Sequence, residues 1–239
     1  MCRRQLGAWW VGVLVLLPSG ASAGQLENGK DVYGPCAACH GANGEGGKGG
    51  EYPRLAGQPP VYLVGQLKLY QERKRYNVAM FPYTEPRELS EADMQDVAAY
   101  LTQITLPAKT PVFKDTDSAL DRLLAMERVL VVPRVAGDVE NGKATFKRSC
   151  VSCHGPEGRG KKNNPVLLGQ YPDYLQRQVD AFRKGDRPHD KKTAGEGVFF
   201  KLEQKDVVDI FAYLTAIQDK DPEVPAAGSS TAGSGAAAE

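Results

Sequence analysis

Two pentapeptides hold most of the chemistry available to this chain: Cys36-Ala37-Ala38-Cys39-His40 and Cys150-Val151-Ser152-Cys153-His154. A bare Cys-x-x-Cys pair can serve as a redox dithiol or as half of a zinc site. The dithiol reading calls for strands alternating with helices around the motif, and no such pattern surrounds either copy. With a histidine directly after the second cysteine, twice over, the spacing points instead to covalent attachment of c-type haem. Two thiols one helical turn apart can add to the two vinyl groups of the macrocycle, and the adjacent imidazole can ligate the iron from one side. The expected cofactors are therefore two covalently bound haem c groups, attached through Cys36, Cys39, Cys150 and Cys153, with His40 and His154 on the irons.

The motifs need elements to position them, and an internal repeat supplies those elements twice. Glu27-Asn28-Gly29-Lys30 recurs as Glu140-Asn141-Gly142-Lys143 ahead of each motif, with Tyr33 and Phe146 as the aromatic in between. After each motif and a Gly-rich loop, Pro53, Leu55, Gly57, Gln58, Pro60, Tyr62, Leu63 and Gln66 match Pro165, Leu167, Gly169, Gln170, Pro172, Tyr174, Leu175 and Gln178 at a constant offset. A duplication accounts for this. Each half closes with apolar residues at helical spacing: Met94, Val97, Ala98, Leu101 and Ile104, then Val207, Ile210, Phe211, Leu214 and Ile217. Ser90 with Asp93 predicts a capped start for the first of these helices, and Pro107 a stop beyond it; the second, opening Leu202-Glu203-Gln204-Lys205, lacks a good N-cap. Gly29 and Gly142 permit either a close helix crossing or a frayed terminus.

Alternation of apolar and polar residues over strand length is nearly absent, so the chain reads as all-α. The expected layout is a leader over 1–23, a domain over 24–106, a linker over 107–135, a second domain over 136–221 and a disordered tail over 222–239, poor in large apolar groups. The linker should contain a helix from about Asp117 to Leu130, packed through Leu120, Leu123, Leu124 and Leu130.

In the leader, Arg3 and Arg4 precede an apolar run from Leu6 to Leu17 and a small-residue end at Ala21-Ser22-Ala23. This is the pattern of a cleavable secretory signal, and the run is shorter than the ~20 residues of a membrane span. A periplasmic location and no stable membrane span after cleavage are expected. Cys2 would leave with the leader, so every remaining cysteine lies in a haem motif, and no disulfide or free thiol is left over. Charge is nearly balanced, with 30 basic and 29 acidic residues. No basic stripe argues for nucleic acid.

The first half resembles a class I cytochrome c: a helix running into Cys-x-x-Cys-His, a later Pro-x-Leu, a loop methionine and a final helix with an aromatic (Ala99-Tyr100-Leu101). The tandem is similar to the di-haem class I cytochromes c of bacterial periplasms. The resemblance implies that Pro53 and Pro165 orient the histidines through their carbonyls and that Leu55 and Leu167 pack on the haems. It also implies that Met80, in an Ala-Met-Phe-Pro loop, is the sixth ligand of the first iron; Met94 and Met126 fall on helices and read as core filler. The second half has no methionine. His189 is the remaining histidine and the favoured sixth ligand there, with Lys191, Lys192 or no ligand as the other readings. Two function classes follow. One is a periplasmic carrier that moves single electrons between a donor and an acceptor the sequence does not name. The other is a di-haem oxidoreductase subunit, or an enzyme with an open second iron. A thiosulfate-oxidising di-haem enzyme with an axial cysteine is excluded, because no cysteine is spare.

Overall fold

The computed structural model describes residues 21–189 and 197–220. The leader, apart from its last three positions, lies outside these residues, as do Lys191, Lys192 and the 222–239 tail. The described chain is helical, with α1 (Ala23–His40), α2 (Pro60–Gln71), α3 (Phe81–Thr84), α4 (Glu91–Gln103), α5 (Ala119–Glu127), α6 (Val139–Ser149), α7 (Val151–His154), α8 (Pro172–Lys184) and α9 (Gln204–Ala216). Extended pairing among the described residues is limited to two isolated bridges, Gly47 with Tyr52 and Lys161 with Asn164. No helix among the described residues is long and apolar enough to cross a membrane.

Local sequence explains where the helices begin. Ser90 Oγ accepts the Asp93 N–H at 3.1 Å and Asp93 returns a bond to the Ser90 N–H, the expected capping pair of α4. The start of α9, which carried no obvious cap, is held by the Glu203 N–H donating to Asp206 Oδ2 at 3.2 Å. Asp206 at the third helical position thus makes the return half of a capping box, with Glu203 in the place a serine would take.

In each half the entry helix crosses the closing helix at its glycine. A Cβ on Gly29 would overlap the Asp96 carbonyl, and one on Gly142 would overlap the Asp209 carbonyl. The close crossing, rather than a frayed end, is therefore what these glycines serve. The repeated asparagine fixes the same crossing: Asn28 Nδ2 donates to Asp96 Oδ2 and Asn141 Nδ2 to Asp209 Oδ2, both at 2.7 Å. Two apolar cores result. Tyr33, Leu63, Val64, Leu89, Met94, Val97, Ala98 and Leu101 form the first. Phe146, Leu168, Val179, Val207, Ile210, Phe211, Tyr213, Leu214 and Ile217 form the second. Burying a side chain of this size contributes about 1.5–3 kcal/mol, so each core supports its own half.

The linker differs from expectation. Its helix α5 is shorter, Ala119–Glu127, and buries none of its residues. Leu120, Leu123 and Leu124 are exposed, and so is Met126, which is not core filler. The packing falls on the extended stretch after it, where Leu130 and Val132 join Ala56 and Leu106 in a third cluster. The helical pattern holds, but among the described residues nothing covers its apolar side.

Candidate metal centres

Both Cys-x-x-Cys-His motifs sit at the end of an entry helix, and both end at a glycine with positive φ: Gly41 (φ 80°) after His40 and Gly155 (φ 75°) after His154. A side chain is strained in that conformation, and the turn frees the histidine from the helical run. The histidines are buried, at 6% and 9% exposure. His40 Nδ1 lies 3.0 Å from the Pro53 carbonyl and His154 Nδ1 3.0 Å from the Pro165 carbonyl. A carbonyl only accepts, so Nδ1 carries the proton in both rings and Nε2 keeps its lone pair for a metal. Burial, partly opposed by the proline bond, lowers both pKa values, and a neutral ring is what ligation needs.

One cavity of about 1180 Å³ is lined by both motifs, by Leu55 and Leu167, and by Met80 and His189. Met80 stands at the N-terminal edge of α3, half-buried. His189 faces His154 across the second part of the cavity, the two ring centroids 6.0 Å apart and the planes at 29°. Phe182 and Phe199, stacked 5.3 Å apart, each meet His189 edge-on at 4.8 Å. The structure thus brings each sequence-predicted cysteine, histidine and Met80 to one cavity.

Between the two halves lies a polar cluster that the sequence reading did not assign. Arg75 and Arg187 are each 7% exposed. Arg75 donates to Gln66, Tyr174 and Gln178 at 2.8–2.9 Å. Arg187 donates to Gln178, Gln66 and Tyr62 at 2.7–3.1 Å. All of these partners are neutral. Among the described residues neither guanidinium meets an anion, which is costly for a buried charge, and the carboxylates of a haem entering the cavity are of the sign needed to balance both. The donors, the aimed histidines and the cationic cluster fit two haems. The signal for the cluster was in the repeat: the offset relating Pro53 to Pro165 also relates Arg75 to Arg187.

Comparison with known proteins agrees with this geometry. The cytochrome c family model matches residues 26–105 and again 139–218. A thiosulfate dehydrogenase electron acceptor from Thiomonas intermedia is 36% identical over 156 residues, 65% of each chain. A thiosulfate dehydrogenase electron acceptor from Stutzerimonas stutzeri is 32% identical over 88% of this chain and 94% of its own. The crystal structure of reduced recombinant cytochrome c4 from Pseudomonas stutzeri superposes with a TM-score of 0.60 at 25% identity, covering 80% of this chain and 97% of that one. The chain belongs to the cytochrome c family, as a tandem class I member that carries two covalently bound c-type haems and transfers electrons.

Proposed function

We propose that this protein is a closed two-centre carrier of the bacterial periplasm, in which both irons are six-coordinate and neither offers an open site to a substrate. Cys36 and Cys39 attach one haem and Cys150 and Cys153 the other. His40 and Met80 hold the first iron, and His154 and His189 the second. Each haem supplies a ferric/ferrous couple that stores one electron. The protein's part is to fix the ligands, exclude water and balance charge: Pro53 and Pro165 orient the proximal rings, Leu55 and Leu167 cover the haem faces, and Arg75 and Arg187 receive the haem carboxylates.

The observation that carries this reading is the 6.0 Å separation of the His154 and His189 rings. An iron held by both would need two metal–nitrogen bonds of about 2 Å each plus half a ring on either side, about 6 Å in all. Phe182 and Phe199 meet the His189 ring edge-on and limit how it turns, although the residue is exposed to solvent. The relatives named as electron acceptors support a dehydrogenase that oxidises a small sulfur oxyanion as the donor.

Electron paramagnetic resonance of the oxidised protein tests the closed reading. Both centres should be low-spin, and carbon monoxide should bind the reduced form slowly. His189→Ala should create a high-spin, carbon-monoxide-reactive second centre and leave the first unchanged. A wild-type protein with one high-spin haem that takes up carbon monoxide quickly would instead mark an enzyme. For the donor, stopped-flow mixing with a thiosulfate dehydrogenase and thiosulfate should reduce both haems; no reduction would remove that partner.

A further inference from the structure

Each proximal histidine is tied to the opposite half through one peptide group. His40 Nδ1 donates to the Pro53 carbonyl, and the N–H of that same peptide unit, on Arg54, donates to Gln170 Oε1 at 3.0 Å. Gln170 Nε2 completes the clamp by donating to the Arg54 carbonyl at 2.9 Å. The reciprocal arrangement holds the other centre. His154 Nδ1 donates to the Pro165 carbonyl, the Val166 N–H donates to Gln58 Oε1 at 2.9 Å, and Gln58 Nε2 donates to the Val166 carbonyl at 2.9 Å. Both glutamines are buried, at 3% and 6% exposure.

We infer that these two glutamines are crossed tuning residues: Gln170, in the second half, sets the reduction potential of the first haem, and Gln58, in the first half, sets that of the second. The N–H and C=O of one amide polarise each other, so an acceptor at the N–H places more negative charge on the carbonyl oxygen. That oxygen then draws the Nδ1 proton harder, the imidazole becomes a stronger donor to iron, and the ferric state gains relative to the ferrous. The docked interface thereby holds both potentials down, and each centre responds to the packing of the other half. Gln170 Oε1 also accepts the Tyr171 N–H at 3.1 Å, which fixes the amide in the orientation the clamp requires. A purely mechanical clamp would make no distinction between the haem of its own half and the haem across the interface.

The inference rests on His40 and His154 as the proximal ligands, and the experiment separates the two ideas. Midpoint potentials of both centres are measured in the holoprotein for Gln170→Leu and Gln58→Leu, with the centres told apart by their low-spin resonance signals. Gln170→Leu should favour reduction of the first haem by up to tenfold, equivalent to 59 mV for one electron, and leave the second unchanged. Gln58→Leu should do the converse. Gln170→Glu keeps an acceptor oxygen in place and should return the first midpoint to the wild-type value or below it, which covers the case in which leucine prevents assembly. In reduced, nitrogen-labelled protein the His40 Nδ1 proton should move upfield in Gln170→Leu, while that of His154 stays. Shifts in the glutamine's own half, equal shifts at both centres, or no shift would overturn the crossing. His40→Ala tests the ligand reading alone: an unaltered first-centre spectrum would overturn it, whereas a lost low-spin signal beside uncrossed shifts would overturn only the crossing.

Discussion

The two halves agree where two helices cross and differ where a loop reaches into the cavity. The proximal bond is 3.0 Å in both, the Asn–Asp bond across the crossing is 2.7 Å in both, and the Tyr33–Tyr100 and Phe146–Tyr213 ring pairs stand 5.9 and 5.8 Å apart. On the other side of the cavity the first half presents a thioether on the edge of a four-residue helix, and the second an imidazole held by Phe182 and Phe199. Helix crossings through glycine leave no room for change, because any added atom meets backbone. A loop has no such limit, so a duplicated domain can change the side chain it presents on that side of the cavity while its frame stays fixed. The attachment segment differs too: α1 runs unbroken through the first motif, whereas the second is interrupted at Cys150 (φ −121°, ψ −31°) between α6 and α7.

The largest test of this comparison removes one centre. Replacing Cys36 and Cys39 by alanine should halve the covalent haem content by pyridine haemochrome assay and leave the second half folded, since its core is built from its own residues. A chain with no haem would show that the halves do not stand independently.

Exchange of the distal ligands should be next. If thioether holds the first iron and imidazole the second, the first centre titrates at the higher potential. Met80→Ala should then abolish the sulfur-to-iron near-infrared band and move the higher midpoint by on the order of 0.1 V, axial ligands spanning about 0.8 V overall. Loss of the lower midpoint would reverse the assignment.

A smaller effect separates the two aromatic positions. Tyr33 donates its hydroxyl to the Gly41 carbonyl at 2.6 Å, beside the first histidine, and Phe146 has no hydroxyl to donate. Tyr33→Phe should destabilise the first half by about 1 kcal/mol in a denaturant titration, with the spectrum of the second centre unchanged.

The smallest concerns acid. Lys205, Asn141 and the Asp138 N–H hold the Asp209 carboxyl down from 3.8 to about 2, while Ala92 occupies the place of Lys205 in the first half. A carboxyl whose pKa is depressed on folding binds its proton more weakly than in the unfolded chain. Its contribution is therefore complete above the unfolded value and lost as pH falls from about 4 towards 2. Asp209→Asn should flatten the acid dependence of the second half over that window, as read by circular dichroism, and equal flattening in both halves would contradict the assignment.

Much of the frame was legible because the repeat exposed it. The attachment motifs, the closing helices and the prolines all appear as short-range patterns, and each was found where spacing put it. Ser90 with Asp93 announced its helix, but the Glu203–Asp206 start of α9 did not, since an acidic residue at that position is ordinary in any helix. The roles of Gln58, Gln170, Arg75 and Arg187 were unreadable for a different reason. Their repetition was visible, but each makes hydrogen bonds to the opposite half, and a repeat compared with itself says nothing about how its copies dock.

The sequence by itself determined two haem-binding halves, their helices, and a loop methionine in the first half against no methionine in the second, because covalent spacing and helical period are local properties. The tertiary structure alone decided that Gly29 and Gly142 are crossing points, that α5 buries none of its residues among the described residues, and that His189 comes to face His154. Each of these depends on where distant backbone passes, and side-chain pattern along one segment does not fix that path.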